Sequence, residues 1–191
     1  GESVDGDRVG ERVVVNPALY PSAPDEFQAL VEADFVGSER DGGYAEYVSV
    51  PAANAYPVER DLSDAELATF PTASATAERM LNRGDVGPGT TVLVTGASGG
   101  VGTALVQLAA RRGAAVIAVT SARHGDSVRE LGADEVVCRD AESVPEAVER
   151  RLGTEAVDVA ADVVGGELFQ PLLELLAPDG RVVIAGAVAG P

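Results

Sequence analysis

The stretch VLVTGASGGVGTALVQLAARRGAAVIAVT, residues 92–120, decides how the rest of the chain is read. An apolar run ends at Thr95, glycines follow at Gly96, Gly99, Gly100 and Gly102, helix-spaced apolar residues come next, and a second apolar run closes at Thr120. Small residues at such a turn let the backbone approach a pyrophosphate, and the unpaired N–H groups and dipole of the following helix supply the counter-charge. Ala97 departs from the pattern G-x-G-x-x-G, which by itself is a weak signal. The context strengthens it, because strand, turn, helix and second strand succeed one another within about 30 residues. Gly96, Ala97, Ser98, Gly99, Gly100, Val101 and Gly102 are therefore the candidate pyrophosphate cradle. The alternative is a turn whose glycines serve only close packing of helix on strand.

Outward from this stretch, residues 86–191 alternate strand and helix. Strands are expected at Thr91–Thr95, Ala115–Thr120, Glu135–Cys138, Val157–Asp162 and Arg181–Ala185. Between them lie apolar residues at helical spacing: Leu105, Leu108 and Ala109, then Val144, Ala147 and Val148, then Leu172, Leu173 and Leu176. This alternation predicts an α/β fold with a doubly wound parallel sheet, because right-handed crossovers place helices on both faces. Residues 1–85 lack it. There Arg12–Val15 and Tyr44–Val50 suit strands, with a long surface lobe between them. Ser63 and Glu66 have capping-box spacing, and a helix is expected over Ala73–Asn82 before the turn VGPGT. These pieces do not make a complete domain.

Composition excludes several function classes. The 191 residues carry 31 acidic and 14 basic groups, a net charge of -17, and every basic residue is an arginine. Such a surface is repelled by nucleic-acid phosphates and anionic lipids, so neither is an expected partner. With 46% hydrophobic and 24% charged residues, the chain should bury a core rather than act as an acidic tail. Cys138 is the single cysteine and His124 the single histidine, so no internal disulfide or Cys/His zinc cluster can form. No apolar run approaches the roughly 18 residues that span a bilayer, and GESVDGDRVGE lacks the form of a signal peptide, which suits a cytoplasmic protein. Arginine without lysine beside so many carboxylates suits a halophilic surface, where salt screens self-repulsion.

Cofactor choice is read at the end of the second strand. An acid there would accept the ribose 2′-OH of NAD, whereas small and basic residues accommodate a 2′-phosphate. The chain has Thr120, Ser121, Ala122, Arg123 and His124, with the first acid at Asp126. Ser121 and Arg123 therefore favour NADP over NAD, against the alternative that Arg123 is only a solvated first-turn residue.

The turn VTGASGGVG, the segment DGGYAEYVSVPA, the run RELGADEVV and the ending GRVVIAGAVAGP, in this order, resemble the medium-chain dehydrogenase/reductase superfamily of alcohol dehydrogenases and quinone reductases. The resemblance implies a Rossmann cofactor domain over residues 86–191, preceded in residues 1–85 by part of a GroES-like β catalytic domain. It also implies truncation at both ends, since members carry some 60 or more residues before the equivalent of Gly6 and a sixth sheet strand after that of Pro191.

Zinc is not expected. By resemblance, the lobe after Asn16 and Pro17 would carry four cysteines for a structural zinc, yet residues 18–41 hold none. A catalytic zinc ligand would fall at Thr72, before Thr76 and Ala77, and hydroxyls are poor zinc ligands.

The implied reaction is hydride transfer between a nicotinamide and a carbonyl, alcohol, quinone or enone, a small-molecule substrate whose identity the sequence leaves open. By resemblance the nicotinamide is bordered by Asp162, Val163, Val164 and Gly165, by Gly186, Ala187 and Val188, and on its other side by Thr76. The alternative for Asp162 is a strand-end residue capping the next helix, and for Thr76 a helix-face hydroxyl bonded to its own backbone. No general acid or base stands out. Tyr44 and Tyr47 read as packing residues on a strand, His124 as a solvated or adenosine-side residue, and Cys138 as a small buried hydrophobe. The resemblance implies a homodimer in the full-length protein. Two further readings stay open: a dinucleotide-binding module without catalysis, and an enoyl reductase module of a larger synthase.

Overall fold

The computed structural model describes residues 4, 8–20, 33–153, 156–186 and 188–190. They form two compact units, Gly1–Thr72 and Ala73–Pro191.

In the first unit, β1 (Val13–Val15) pairs antiparallel with β4 (Ala55–Pro57), and β2 (Ala18–Leu19) pairs antiparallel with β3 (Asp34–Phe35). The amide of Asn54 joins these pieces by donating to the carbonyls of Asn16 and Ala18 at 3.0 and 2.9 Å. Helix α1 (Asp64–Ala68) starts at the expected capping box: Glu66 N–H donates to Ser63 Oγ at 3.2 Å, and Ser63 N–H donates back to the Glu66 carboxylate at 2.7 Å. The expected strand at Tyr44–Val50 is absent. Alternation makes a segment compatible with a strand, but the ladder needs a neighbour, and none of the described residues supplies one. Tyr44 and Tyr47 consequently face solvent, at 110% and 90% exposure, and do not pack as the sequence suggested.

The second unit holds a five-stranded, wholly parallel sheet of β5 (Thr91–Val94), β6 (Ala115–Thr120), β7 (Glu135–Cys138), β8 (Val157–Asp162) and β9 (Leu176–Ile184). Its order is β7-β6-β5-β8-β9, so the crossovers run one way from β5 to β7 and reverse at β8. The helices are α2 (Phe70–Gly84), α3 (Gly100–Arg111), α4 (Gly125–Glu130), α5 (Val144–Leu152) and α6 (Phe169–Glu174). Successive strand residues serve opposite faces. Val92, Val94, Val116, Ala118 and Val136 join a cluster with Ala77, Met80 and Leu81 of α2, Leu105, Val106 and Ala109 of α3 and Val128 of α4. Leu93, Ile117, Val119 and Val137 join the other, with Val144, Ala147 and Val148 of α5 and Leu172 of α6. Burial on both faces explains why the strands read as continuous apolar runs.

Two boundaries differ from the sequence reading. The change in pattern falls at residue 86, but the compact units divide between Thr72 and Ala73, because Ala77, Met80 and Leu81 bury α2 in the sheet core. The last strand begins at Leu176 instead of Arg181. Leu176 pairs with Val157 and Arg181 with Val159, and the intervening Asp179, at φ 65°, and Gly180 make a bulge. Leu176 thus belongs to the strand, and Leu173 of α6 is 46% exposed. Among the described residues no helix is long and apolar enough to cross a membrane.

Candidate functional site

In an open parallel sheet a ligand crevice forms beyond the strand C-termini where the winding reverses. Here that point lies between β5 and β8. A cleft of about 1020 Å³ occupies it, lined by residues that follow β5, β6, β7, β8 and β9.

The β5–α3 turn forms its floor. Gly96 has φ 58°, a conformation that favours glycine, and a Cβ there would stand 2.9 Å from Val163 Cγ2. Gly102 tolerates no side chain, since a Cβ would meet Gly96 O at 2.1 Å and Ala97 Cα at 2.7 Å, both backbone atoms. The turn closes through Gly99 N–H to Gly96 O at 2.9 Å. Gly99 is the N-cap of α3 and has no side chain to cap it, so the first amides of the helix remain available as donors to an anion. Gly96, Ser98, Gly99, Gly100, Val101 and Gly102 all line the cleft. Ala97 does not. It is fully buried, and its N–H donates to Val119 O at 3.1 Å, locking the turn to β6.

Basic residues gather beyond β6 and β7. Thr120, Ser121, Arg123 and His124 line the cleft together with Arg139, which follows β7. The two segments are fastened to each other by Arg139 N–H to Thr120 O and by Ala122 N–H to the Asp140 carboxylate, each at 2.9 Å. The Asp140 carboxylate is thereby engaged with backbone. The Arg123 and Arg139 guanidinium groups are exposed and have no hydrogen-bond or ion-pair partner among the described residues. Arg139 escaped the sequence reading, because only the strand order sets the β7 terminus beside that of β6; its signal is a basic residue directly after the run EVVC.

The opposite wall comes from the segments after β8 and β9. Val163, Val164, Gly165, Gly186 and Val188 line the cleft, and Ala189 N–H donates to Val164 O at 2.9 Å, joining the two segments. Ala187 lies outside the described residues. Asp162 stands behind this wall, fully buried, and Thr76 is half-buried on α2; neither lines the cleft. Glu167, the acid in the cleft lining, belongs to the β8 side, so negative and positive groups occupy opposite ends. Among the described residues no three metal-ligating side chains cluster, and position 72 carries a hydroxyl, a poor zinc ligand.

The family model for zinc-binding dehydrogenases matches residues 100–191. A crystal structure from Sinorhizobium meliloti 1021, named as an alcohol dehydrogenase, superposes with a TM-score of 0.91 at 51% identity, covering 100% of this chain and 52% of that one. The protein named as quinone oxidoreductase YhfP of Bacillus subtilis is 36% identical over 160 residues, 81% of this chain and 48% of the relative. An NAD-dependent alcohol dehydrogenase of Sulfolobus acidocaldarius is 31% identical over 199 residues, 100% of this chain and 57% of the relative. The chain spans about half the length of the curated relatives it matches. Its reversing parallel sheet, its glycine cradle and these likenesses agree, and the chain belongs to the medium-chain dehydrogenase/reductase superfamily.

Proposed function

We propose that the protein is an oxidoreductase that binds NADP(H) in the cleft at the β5–β8 reversal and transfers hydride to or from a carbonyl, alcohol, quinone or enone. The observation that carries this reading is the cradle itself: a turn where even a methyl group at Gly102 would strike backbone, opening on a cleft with free helix amides. When bound, the nicotinamide supplies the hydride chemistry. The α3 amides and the turn hold the pyrophosphate. Ser121, Arg123 and Arg139 take the 2′-phosphate, because two unpaired cations on an otherwise acidic surface suit a dianion, and Asp140 is engaged elsewhere. The β8 and β9 segments exclude water from the nicotinamide face with Val163 and Val188.

In this reading residues 1–85 contribute to the substrate side as part of a GroES-like domain, and the full-length protein is a homodimer. Thr72 places a hydroxyl, a poor zinc ligand, where the resemblance would put a thiolate, and this favours a quinone or enone over an alcohol that needs Lewis-acid activation. Calorimetric and thermal titration with NADPH and NADH tests the assignment. At 100 times the dissociation constant, ligand adds about 2.7 kcal/mol, equivalent to roughly 5–10 °C in melting temperature at this chain length. Stabilisation by NADPH at lower concentration than NADH is expected. A folded protein stabilised by neither defeats the assignment, whereas binding without turnover of any quinone or enone in the full-length protein restricts it to a dinucleotide-binding module.

A further inference from the structure

Two buried polar side chains that line no part of the cleft tie the ends of β5 and β8 together. Thr95 and Asp162 are both fully buried. The Thr95 hydroxyl donates to Asp162 Oδ1 at 2.5 Å and accepts from Val163 N–H at 3.1 Å. Asp162 Oδ1 accepts from Val164 N–H at 2.9 Å and Gly165 N–H at 3.2 Å, and Oδ2 accepts from Gly165 N–H at 3.1 Å. The pair thereby engages every backbone N–H from Val163 to Gly165. A buried carboxylate is tolerated only when donors surround it, and here the donors are the successive amides of one loop.

That loop is a wall of the cleft, and its amides are held behind the wall. On its other side it abuts the glycine turn: Val163 Cγ2 and Val164 Cγ2 stand 2.9 and 3.1 Å from the position a Gly96 Cβ would take. The carbonyl of Asp162 accepts from Ala185 N–H at 3.0 Å, which carries the same constraint to the β9 segment. Among the described residues no side-chain hydrogen bond connects Thr95 or Asp162 to the segments after β6 and β7.

We infer that Thr95 and Asp162 are positioning residues that hold the Val163–Gly165 wall against the glycine turn and so govern the nicotinamide half of the dinucleotide without touching its adenosine half. The inference rests on the cofactor assignment proposed above. Adenosine lies toward β6 in that assignment, so the half beyond the pyrophosphate meets β8.

The test compares full-length wild type, T95V and T95S by calorimetric titration with NADPH and with 2′,5′-ADP, which has only the adenosine half. T95V removes the hydroxyl with little change of shape and leaves Val163 N–H unpaired. It is expected to weaken NADPH binding about tenfold or more while leaving 2′,5′-ADP within about twofold, and T95S, which keeps the hydroxyl, is expected to restore NADPH binding. Equal weakening of both ligands, no weakening of either, or failure of T95S to restore binding overturns the inference. Should T95V not fold, amide exchange in the wild type decides. Protection of the Val163, Val164 and Gly165 amides comparable to that of β5 and β8 is expected in the free protein, and rapid exchange there beside a protected sheet overturns it. Wild type that binds neither ligand is instead a failure of the cofactor assignment, and the inference falls with it. A failure confined to the variants leaves that assignment standing.

Discussion

At Gly102 the first atom of any side chain would stand 2.1 Å from Gly96 O and 2.7 Å from Ala97 Cα. Both are backbone atoms of the cradle, so relief requires moving the turn. Gly102→Ala is therefore expected to destabilise the protein by about 1–3 kcal/mol and to abolish cofactor-dependent stabilisation, both read by thermal denaturation with and without NADPH. Arg123 and Arg139 act differently. Neither supports the fold through a side-chain hydrogen bond or ion pair among the described residues, so their loss should not lower stability. Charge-assisted hydrogen bonds contribute about 1.5–3 kcal/mol, so R123Q and R139Q are each expected to weaken NADPH about tenfold or more and to leave NADH nearly unchanged, as measured by titration. An R139Q protein that keeps its discrimination would remove Arg139 from the 2′-phosphate subsite. Arg123 is a candidate on the chain alone because it lies three residues past the end of β6, whereas Arg139 became a candidate only when strand order set β7 beside β6.

Among the elements, α2 shows how a local pattern and a tertiary contact divide the work. Its apolar residues mark a helix, but which unit it serves depends on where Ala77, Met80 and Leu81 are buried, and that is the sheet core. Leu81→Ala should cost about 2–5 kcal/mol, measured by urea denaturation, since Leu81 is fully buried within that cluster. The capping box of α1 was readable directly because all of its partners lie within four residues. On α5, Arg151 donates to Glu142 at 2.9 Å and holds its carboxyl below the ordinary 4.5, with Arg150 adding to the effect. A carboxyl lowered by folding stabilises fully above its unfolded pKa and loses that contribution as pH falls through its folded value. The denaturation midpoint of E142Q should therefore lie below that of wild type at neutral pH and converge with it as the pH falls through and below 4.5. A constant gap at all pH values would show that the ion pairs carry none of the difference. Tyr44–Val50 is the opposite case, a strand-like alternation for which the described residues provide no pairing partner.

For the whole molecule, the net charge of -17 sets a self-repulsion that salt screens. The ion pairs Arg12–Asp64, Arg40–Asp34, Arg129–Asp126 and Arg181–Asp85 are exposed at both partners and offset little of it. If the surface is adapted to high salt, the melting temperature should rise steadily between about 0.1 and 2 M KCl, and a flat or falling profile would contradict that adaptation. The sequence by itself determined the alternation of strand and helix, the parallel sheet and the glycine turn, because each depends on periodicity or on residues close along the chain. Tertiary structure alone decided which strand ends adjoin, and hence that Arg139 faces the cleft, that Asp162 stands behind its wall with Thr95, and that α2 belongs to the sheet. Those outcomes come from packing and hydrogen bonds between segments up to 97 residues apart, whose choice of partner leaves no mark on the local pattern.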